Sequence, residues 1–259
     1  MELTLYQIDA FANKTFEGNP AAICPLDDWL SDDLMQSIAT ENNLSETAYF
    51  IKTNNGYHIR WFTPTHEVNL CGHATLASAY VIFNILQHTE NEILFDSKSG
   101  LLTVKRNSDW LEMDFPSQPP VSCDTPQLIL DAFDATPVEC LKSEDYIVVF
   151  ENEETILNSK PLLSLLSELD LRGVAITSRS TKYDFITRFF APKYGINEDP
   201  VTGSAFTQLI PYWSNKLHKY NLNAKQVSNR GGEVKCIYSG DRVGISGKAV
   251  KYMVGTIEI

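Results

Sequence analysis

The sequence has little of what marks a secreted, metal-binding or membrane protein. Its cysteines are odd in number and form no C-x-x-C pair, which indicates reduced thiols; they are Cys24, Cys71, Cys123, Cys140 and Cys236. The five histidines lie far apart without H-E-x-x-H spacing, so no metal site is predicted. The N-terminus has neither a basic start nor an apolar segment, so we expect no signal peptide and a cytoplasmic location.

Positive charge is also scarce. Lys and Arg total 21 against 33 Asp and Glu, which gives a net charge of −12. Nucleic acids and anionic membranes are bound by basic surfaces, so this charge argues against both as partners. An anionic substrate would have to be held by local hydrogen-bond donors, because the overall field of the protein repels it.

One segment carries no Asp, Glu, Lys or Arg from Val68 to Thr89. Within it, Asn69–Leu86 has apolar or small residues almost all round a helix, whereas an exposed helix shows a polar face. Its apolar part is too short to span a membrane. The pattern predicts a helix buried on every side, and the strand-like segments around it are the expected wrapping.

A second feature is an internal repeat. The motif R-W-F-T-P at 60–64 leads into C-G-H-A at 71–74, and R-F-F-A-P at 188–192 leads into T-G-S-A at 202–205. The first motifs are offset by 128 residues (188 − 60) and the second by 131 (203 − 72). Offsets of half a chain indicate two similar domains rather than a solenoid. Two such helix starts are expected to face each other across a cleft between the domains.

We therefore predict an α+β fold of two pseudo-repeated domains, each a curled, mostly antiparallel sheet or barrel around a central buried helix. The domains are predicted at 1–117 and 121–259, separated by the proline-rich stretch Pro116–Pro120, with the alternative that the last strand packs back on the first domain. Other predicted elements are helices starting after Ser31 and spanning Pro161–Leu169 and Ser204–Leu217, with strands that include Ile93–Asp96, Leu101–Lys105, Leu111–Phe115 and Gln226–Ser228.

Polar residues at the two helix starts are the candidates for chemistry. Glu46 enters an apolar strand, where a carboxylate near a cleft would serve as a general acid/base; the alternative is an ordinary surface glutamate. Gly72 and His73 open the first buried helix, whose free N–H groups favour an anion, and His73 either contacts the substrate or merely caps the helix.

The second helix start offers Asp199 to orient a substrate or assist proton transfer, with N–H and hydroxyl donors at Gly203 and Ser204. The alternative there is an ordinary N-cap. Asn19, in the motif G-N-P, either faces the same cleft or is a simple turn residue.

Four motifs in order give a family resemblance: F-x-G-N-P at 16–20, N-L-S-E-T at 43–47, C-G-H-A-T at 71–75 and E-D-P-V-T-G-S-A at 198–205. Together they resemble the signature of the PhzF family, which is named for the phenazine biosynthesis isomerase and shares the diaminopimelate epimerase fold. The resemblance implies barrel-like domains around central helices, a cleft between them, often a homodimer, and a cofactor-free isomerase. The family's acid/base glutamate falls on Glu46, and its His, Asp and Ser site residues fall on His73, Asp199 and Ser204.

Racemases that share this fold use two thiols, one at each helix start. Here Cys71 precedes Gly72, but its counterpart is Thr202, so a two-thiol mechanism is disfavoured and Cys71 is interpreted as a buried structural thiol. A single carboxylate suits a 1,3-proton shift on one face of a substrate.

The predicted function is a cofactor-independent isomerase of a small carboxylate-bearing metabolite. Its predicted catalytic residues are Glu46, His73 and Asp199, and its predicted substrate-binding residues are Asn19, Gly72, Thr202, Gly203 and Ser204. The alternatives are an epimerase or racemase of an amino-acid-like substrate, and a non-catalytic ligand-binding or interaction protein that keeps the fold.

Overall fold

The computed structural model describes all 259 residues, Met1–Ile259. They form two compact units: unit 1 comprises Met1–Asp114 and Ser246–Ile259, and unit 2 comprises Phe115–Ile245. The domain limits expected from the sequence, 1–117 and 121–259, stay a prediction. None of the helices combines the length and the apolar character that crossing a bilayer requires.

Unit 1 is a mostly antiparallel sheet with one long helix inside it. Its strands are β1 (Glu2–Ala10), β2 (Asn19–Leu26), β3 (Glu46–Thr53), β4 (Gly56–Phe62), β5 (Glu67–Val68), β6 (Glu92–Asp96), β7 (Leu102–Asn107), β8 (Trp110–Pro116) and β18 (Ala249–Glu258). The pairs β2–β3 and β4–β6 are parallel, whereas β18–β1, β1–β2, β3–β4, β4–β5, β6–β7 and β7–β8 are antiparallel. The last strand of the chain therefore pairs with the first.

Helix α1 (Asp32–Asn42) begins where the sequence predicts a helix start. The Ser31 side chain accepts a hydrogen bond from the N–H of Leu34 at 3.3 Å, and Asp32 and Asp33 occupy the positive end of the helix dipole. The chain leaves the helix through Asn43, whose φ of 49° is left-handed, and this turn directs the chain into β3.

The predicted buried helix is confirmed as α2 (Gly72–Tyr80), although the α-helical part is shorter than expected and continues as a π-helical segment, Val81–Ile85. Every residue of α2 from His73 to Ala79 is buried. Gly247 lets the chain pass close to this helix, because a Cβ there would lie 2.3 Å from Phe11 Cδ1 and 3.1 Å from Leu76 Cδ1. A side chain at residue 247 would push the helix away from the strands.

Unit 2 contains the remaining strands and four helices. They are β9 (Val121–Ser122), α3 (Gln127–Ala132), β10 (Glu139–Lys142), β11 (Tyr146–Val149), α4 (Glu153–Asn158), α5 (Leu163–Leu166), β12 (Val174–Arg179), β13 (Phe185–Ala191), β14 (Ile196–Asp199), α6 (Gly203–Leu217), β15 (Asn221–Gln226), β16 (Gly232–Tyr238) and β17 (Arg242–Gly247). A 3-10 turn, Pro192–Tyr194, separates β13 from β14.

Two predicted elements of unit 2 are wrong in extent. The helix expected over Pro161–Leu169 is a single α-helical turn, α5, beyond which the N–H groups of Glu168 and Leu169 donate to the carbonyls three residues earlier. The strand expected at Gln226–Ser228 starts five residues earlier and ends at Gln226. Helices α3 and α4 were not predicted from the sequence.

Helix α6 forms the core of unit 2 and is held by a buried polar network. Gln208 Nε2 donates to Asp145 Oδ2 at 2.6 Å, and Gln208 Oε1 accepts the Asp145 N–H at 3.1 Å. Arg172 makes a two-bond contact with the same carboxylate at 2.9 and 2.6 Å. Further along, the Trp213 ring stacks on Phe185 with centroids 5.6 Å apart. The helix is thus fixed both by polar bonds and by aromatic packing.

The two units repeat one order of strand pairing. In unit 1, β2–β3 is parallel, β3–β4 and β4–β5 are antiparallel, β4–β6 is parallel and β6–β7 is antiparallel. In unit 2 the same sequence of relations joins β11–β12, β12–β13, β13–β14, β13–β15 and β15–β16. The central helix follows the short strand in both units. The predicted pseudo-repeated α+β fold is confirmed.

Candidate functional site

Glu46 is the first residue of β3 in unit 1. It lies beside Ala21 of β2, which runs parallel to β3, so its side chain stands at the end of two buried strands. The side chain is only 15% exposed, and its Oε2 atom lies 3.1 Å from His73 Nε2. These two buried atoms have no other hydrogen-bond partner. Glu46 is therefore not an ordinary surface glutamate.

His73 occupies the first turn of α2. The N-cap residue of this helix is Cys71, and no side chain caps the helix start. Instead, the His73 ring contacts Cys71 Sγ through Nδ1 at 3.5 Å and faces Glu46 through Nε2. The His73 side chain does not cap the helix start, and the three side chains form a row of contacts from Cys71 to His73 to Glu46.

The ligand atoms of Glu46, Cys71 and His73 lie within 4.8 Å of one another, which is close enough to consider a metal ion. His73 contacts the other two side chains through different ring nitrogens. The three side chains thus form one compact group.

Burial and the neighbouring charges shift the pKa values of Cys71 and His73. Burial, and next the negative charge of Glu46, raise the pKa of the Cys71 thiol, while His73 acts in the opposite direction. Burial alone lowers the pKa of His73, but Cys71 and Glu46 outweigh it and raise that pKa well above its ordinary value.

Asn19 stands at the same strand end as Glu46. It is the first residue of β2, two positions before Ala21, and its side chain is completely buried. Gly18 brings it there with a φ of +70°, and a Cβ on Gly18 would lie 2.0 Å from the carbonyl oxygen of Ala10. The loop before β2 therefore requires this glycine, and Asn19 is part of a buried wall rather than an exposed turn.

In unit 2, Asp199 ends β14 and lies just before the start of α6. The hydroxyl of Thr202 donates to Asp199 Oδ2 at 2.5 Å, so Thr202 does not cap α6 with its side chain. Gly203 is the first residue of the helix, and Ser204 is half-buried beside it. The Thr202 side chain therefore bonds to Asp199 rather than to the first turn of the helix.

Sequence reasoning missed Gln226, which holds the turn before α6. Its side chain is completely buried, its Oε1 accepts the N–H of Thr202 at 2.9 Å, and its Nε2 donates to the carbonyl of Asp199 at 2.6 Å. It thus fixes both ends of the turn at 199–202. The signal was the period-2 pattern of β15, which buries Leu222, Ala224 and Gln226 on one face.

The structure thus forms two sets from the predicted site residues. Asn19, Glu46, Gly72 and His73 belong to unit 1, and Asp199, Thr202, Gly203 and Ser204 belong to unit 2. Cys71 joins the first set, although the sequence suggested only a structural role for it. That the two sets face one cleft stays a prediction.

Comparison with known proteins shows that the chain is similar to one family over most of its length. A family model described as phenazine biosynthesis-like protein matches residues 8–255. An uncharacterised isomerase of Pseudomonas aeruginosa is 50% identical over 259 residues, with all of both chains covered. A crystal structure of a PhzF family protein from Enterococcus faecalis superposes with a TM-score of 0.98 at 42% identity, again over all of both chains. A predicted epimerase of Pseudomonas aeruginosa, at 18% identity and a TM-score of 0.74 over 99% of both chains, shares the fold.

Proposed function

Because the chain belongs to the family of phenazine biosynthesis-like proteins, we propose that it is an isomerase that moves a proton within a small metabolite bearing a carboxylate. Its Pseudomonas aeruginosa relative carries the name isomerase, which supports the class of reaction. The observation that carries the proposal is the 3.1 Å approach of Glu46 Oε2 to His73 Nε2, two buried atoms with no other hydrogen-bond partner.

In this proposal Glu46 is the general acid/base. Its carboxylate takes a proton from one carbon of the substrate and returns it to a second atom two bonds away, so a double bond moves and no net proton is gained or lost. His73 beside it, whose pKa is raised, stabilises the carboxylate form before the transfer. This chemistry uses side chains alone, so we propose that no cofactor takes part.

The substrate carboxylate is proposed to bind at helix starts. The first backbone N–H groups of a helix have no partner within it and lie at the positive end of the dipole. Gly72 opens α2, and Gly203 and Ser204 open α6, both without a side-chain cap. Such local donors would offset the net charge of −12, which otherwise repels an anion. Asn19, Asp199 and Thr202 are proposed to orient the substrate.

We propose further that the protein is a cytoplasmic homodimer, as the family resemblance implies. The exposed apolar residues of β18 support a partner: Tyr252, Met253 and Val254 are 48%, 43% and 53% exposed. Contiguous apolar surface of this kind is typical of protein interfaces. Light scattering after size exclusion tests the dimer, and a single species of 29.1 kDa would contradict it.

Epimerisation of an amino-acid-like substrate is the second candidate, favoured by the position of Cys71 against His73 at 3.5 Å. Such an epimerase would use Glu46 and a second base, with removal and return of the α-proton from opposite faces. The two reactions differ in product, because epimerisation inverts a stereocentre and a 1,3-shift moves a double bond.

The test is a metabolite screen in D₂O. The purified protein is added to a small-molecule extract, and mass spectrometry after chiral and reversed-phase separation follows any compound whose isomer ratio changes and which gains solvent deuterium. We expect deuterium at one carbon with a shifted double bond; label at an α-carbon with inversion would favour the epimerase.

The matched variants are Glu46→Gln, which keeps the shape and removes the base, and Glu90→Gln, an exposed glutamate of the same unit. We expect the first to lose conversion by about 10²–10⁴-fold and the second to keep it. A Glu46→Gln protein that converts the same compound at the wild-type rate would refute the assignment of the base.

A further inference from the structure

Two cysteines of unit 2 lie directly across from each other on neighbouring strands. Strands β9 and β10 are antiparallel, with Ser122 opposite Leu141. One step further, the N–H of Cys123 donates to the carbonyl of Cys140 at 3.0 Å, and their Sγ atoms are 3.7 Å apart. No other pair of thiols in the chain has this relation, since Cys24, Cys71 and Cys236 contact no second cysteine.

The backbone separation of such a pair suits a disulfide. Residues directly opposite in an antiparallel ladder have Cα atoms about 4.5–5.5 Å apart, and disulfides span about 4.4–6.8 Å. A bond length of about 2.05 Å would be reached by rotation of the two side chains, because both sulfur atoms already lie on the same face. The strands would keep their pairing on oxidation.

The two thiols differ in access. Cys123 is partly exposed, whereas Cys140 is buried at 4% exposure in the core of unit 2 beside Tyr146 and Val148. Burial, followed by the neighbouring Cys123, raises the pKa of Cys140 to about 12. A reagent from solution thus meets Cys123 first, and Cys140 can react only with what Cys123 presents to it.

We propose that Cys123 and Cys140 form a dithiol site that reacts with low-molecular-weight disulfides and closes to a reversible intramolecular disulfide. The Cys123 thiolate attacks one sulfur of the small disulfide, forms a mixed disulfide and releases one small thiolate. Cys140 then loses its proton and attacks Cys123 Sγ, which forms the protein disulfide and releases the second thiolate. The protein loses two protons and two electrons, and the small disulfide becomes two thiols. The exposed edge of the bond leaves it open to reduction by the reverse steps.

The test uses the folded full-length protein and oxidised glutathione. After exposure, free thiols are blocked with N-ethylmaleimide in denaturant, and the products are weighed. The tryptic peptide 107–142 contains both cysteines and no other, because the chain has no Lys or Arg between Arg106 and Lys142. We expect this peptide to lose two hydrogens and both alkylation sites, and cleavage at the acidic residues between the cysteines to give two linked fragments. Dithiothreitol should restore both sites.

Two variants separate a true dithiol site from chance oxidation. Cys140→Ser should stop at a glutathione adduct on Cys123, and Cys123→Ser should leave Cys140 unmodified in the folded protein. Cys24 and Cys236, which are buried without a cysteine neighbour, should stay fully alkylated in all samples. Circular dichroism checks that each variant is folded. A wild-type peptide 107–142 with two alkylated cysteines after oxidation, or Cys140 that reacts equally fast without Cys123, would overturn the proposal.

Discussion

The same kind of contact stabilises the segment from β4 to α2 in unit 1 and the segment from β13 to α6 in unit 2. Arg60 makes a two-bond contact with Glu67, with both N–O distances 2.8 Å, and its guanidinium lies 5.2 Å from the Phe62 ring. The counterpart in unit 2, Arg188, contacts Glu198 at 2.8 and 2.9 Å, and lies 5.1 Å from the Phe190 ring. The repeated R-[WF]-F-[TA]-P motif is thus a repeated brace between strands.

The helix starts that follow these braces differ. In unit 1 the start carries a row of titratable groups, Cys71, His73 and Glu46. In unit 2 it carries a turn in which Gln226 binds the backbone and the Thr202 hydroxyl donates to the Asp199 carboxylate. The comparison teaches that the duplicated scaffold is kept while the side chains at the helix starts diverge.

The largest expected effect separates the two helix starts. With a substrate from the metabolite screen, Glu46→Gln should lower kcat/KM by about 10²–10⁴-fold, because the proton acceptor is lost. Asp199→Asn should act mainly through a raised KM, because its carboxylate is already engaged by Thr202. Steady-state kinetics of both variants decide the point. An Asp199→Asn enzyme with the larger loss in kcat would place the acid/base chemistry in unit 2.

Replacement of the arginines in the two braces gives the next largest effect, a loss of stability. Arg188→Met should lower the free energy of unfolding by about 3–4 kcal/mol, because it leaves Glu198 without its guanidinium and the carbonyls of Ile156 and Ser159 without a donor. Arg60→Met should cost about 2 kcal/mol, because Lys98 still contacts Glu67. Urea unfolding of both variants measures the difference, and equal losses would contradict this account.

Gln226 gives a smaller expected effect. Gln226→Met keeps the side-chain length but removes both bonds to the turn, and we expect a loss of about 2 kcal/mol in unfolding free energy together with faster hydrogen exchange at the Thr202 amide. Gln226→Glu keeps the acceptor for that amide and should retain its protection. If the Thr202 amide were equally protected in Gln226→Met, the turn would be stable without the two bonds to Gln226.

The smallest expected effect is the change of stability with pH that accompanies the titration of His73. Its pKa is raised, so the charged ring contributes stability that is full below about pH 6.5 and is lost as the pH rises through the raised pKa. In Glu46→Gln, loss of one of the two partners that raise the pKa of His73 should lower that pKa. NMR titration, with His73→Asn to assign the signal, measures both values. A wild-type His73 that titrates below about pH 6.5 would contradict the proposed ion pair.

The sequence predicted elements that depend on local pattern. The buried helix, the Ser31 cap and the repeated motif are visible in short stretches, and Glu46 and His73 were identified from the motifs around them. What it could not predict depends on partners far along the chain. Gln226 meets Asp199 across 27 residues, and Gln208 meets Asp145 across 63 residues. The cap of α4 at Asn152, which accepts the N–H of Thr155, was a local signal that went unused.

The pairing of β18 with β1 has a consequence for how the protein is made. Glu258 lies opposite Glu2, and the N–H of Ile259 donates to the carbonyl of Met1 at 2.8 Å. During translation, β1 therefore leaves the ribosome long before β18 exists, and the edge that β18 will cover stays unpaired until then. The residues of unit 2 are synthesised before β18, so unit 2 can fold before the sheet of unit 1 closes.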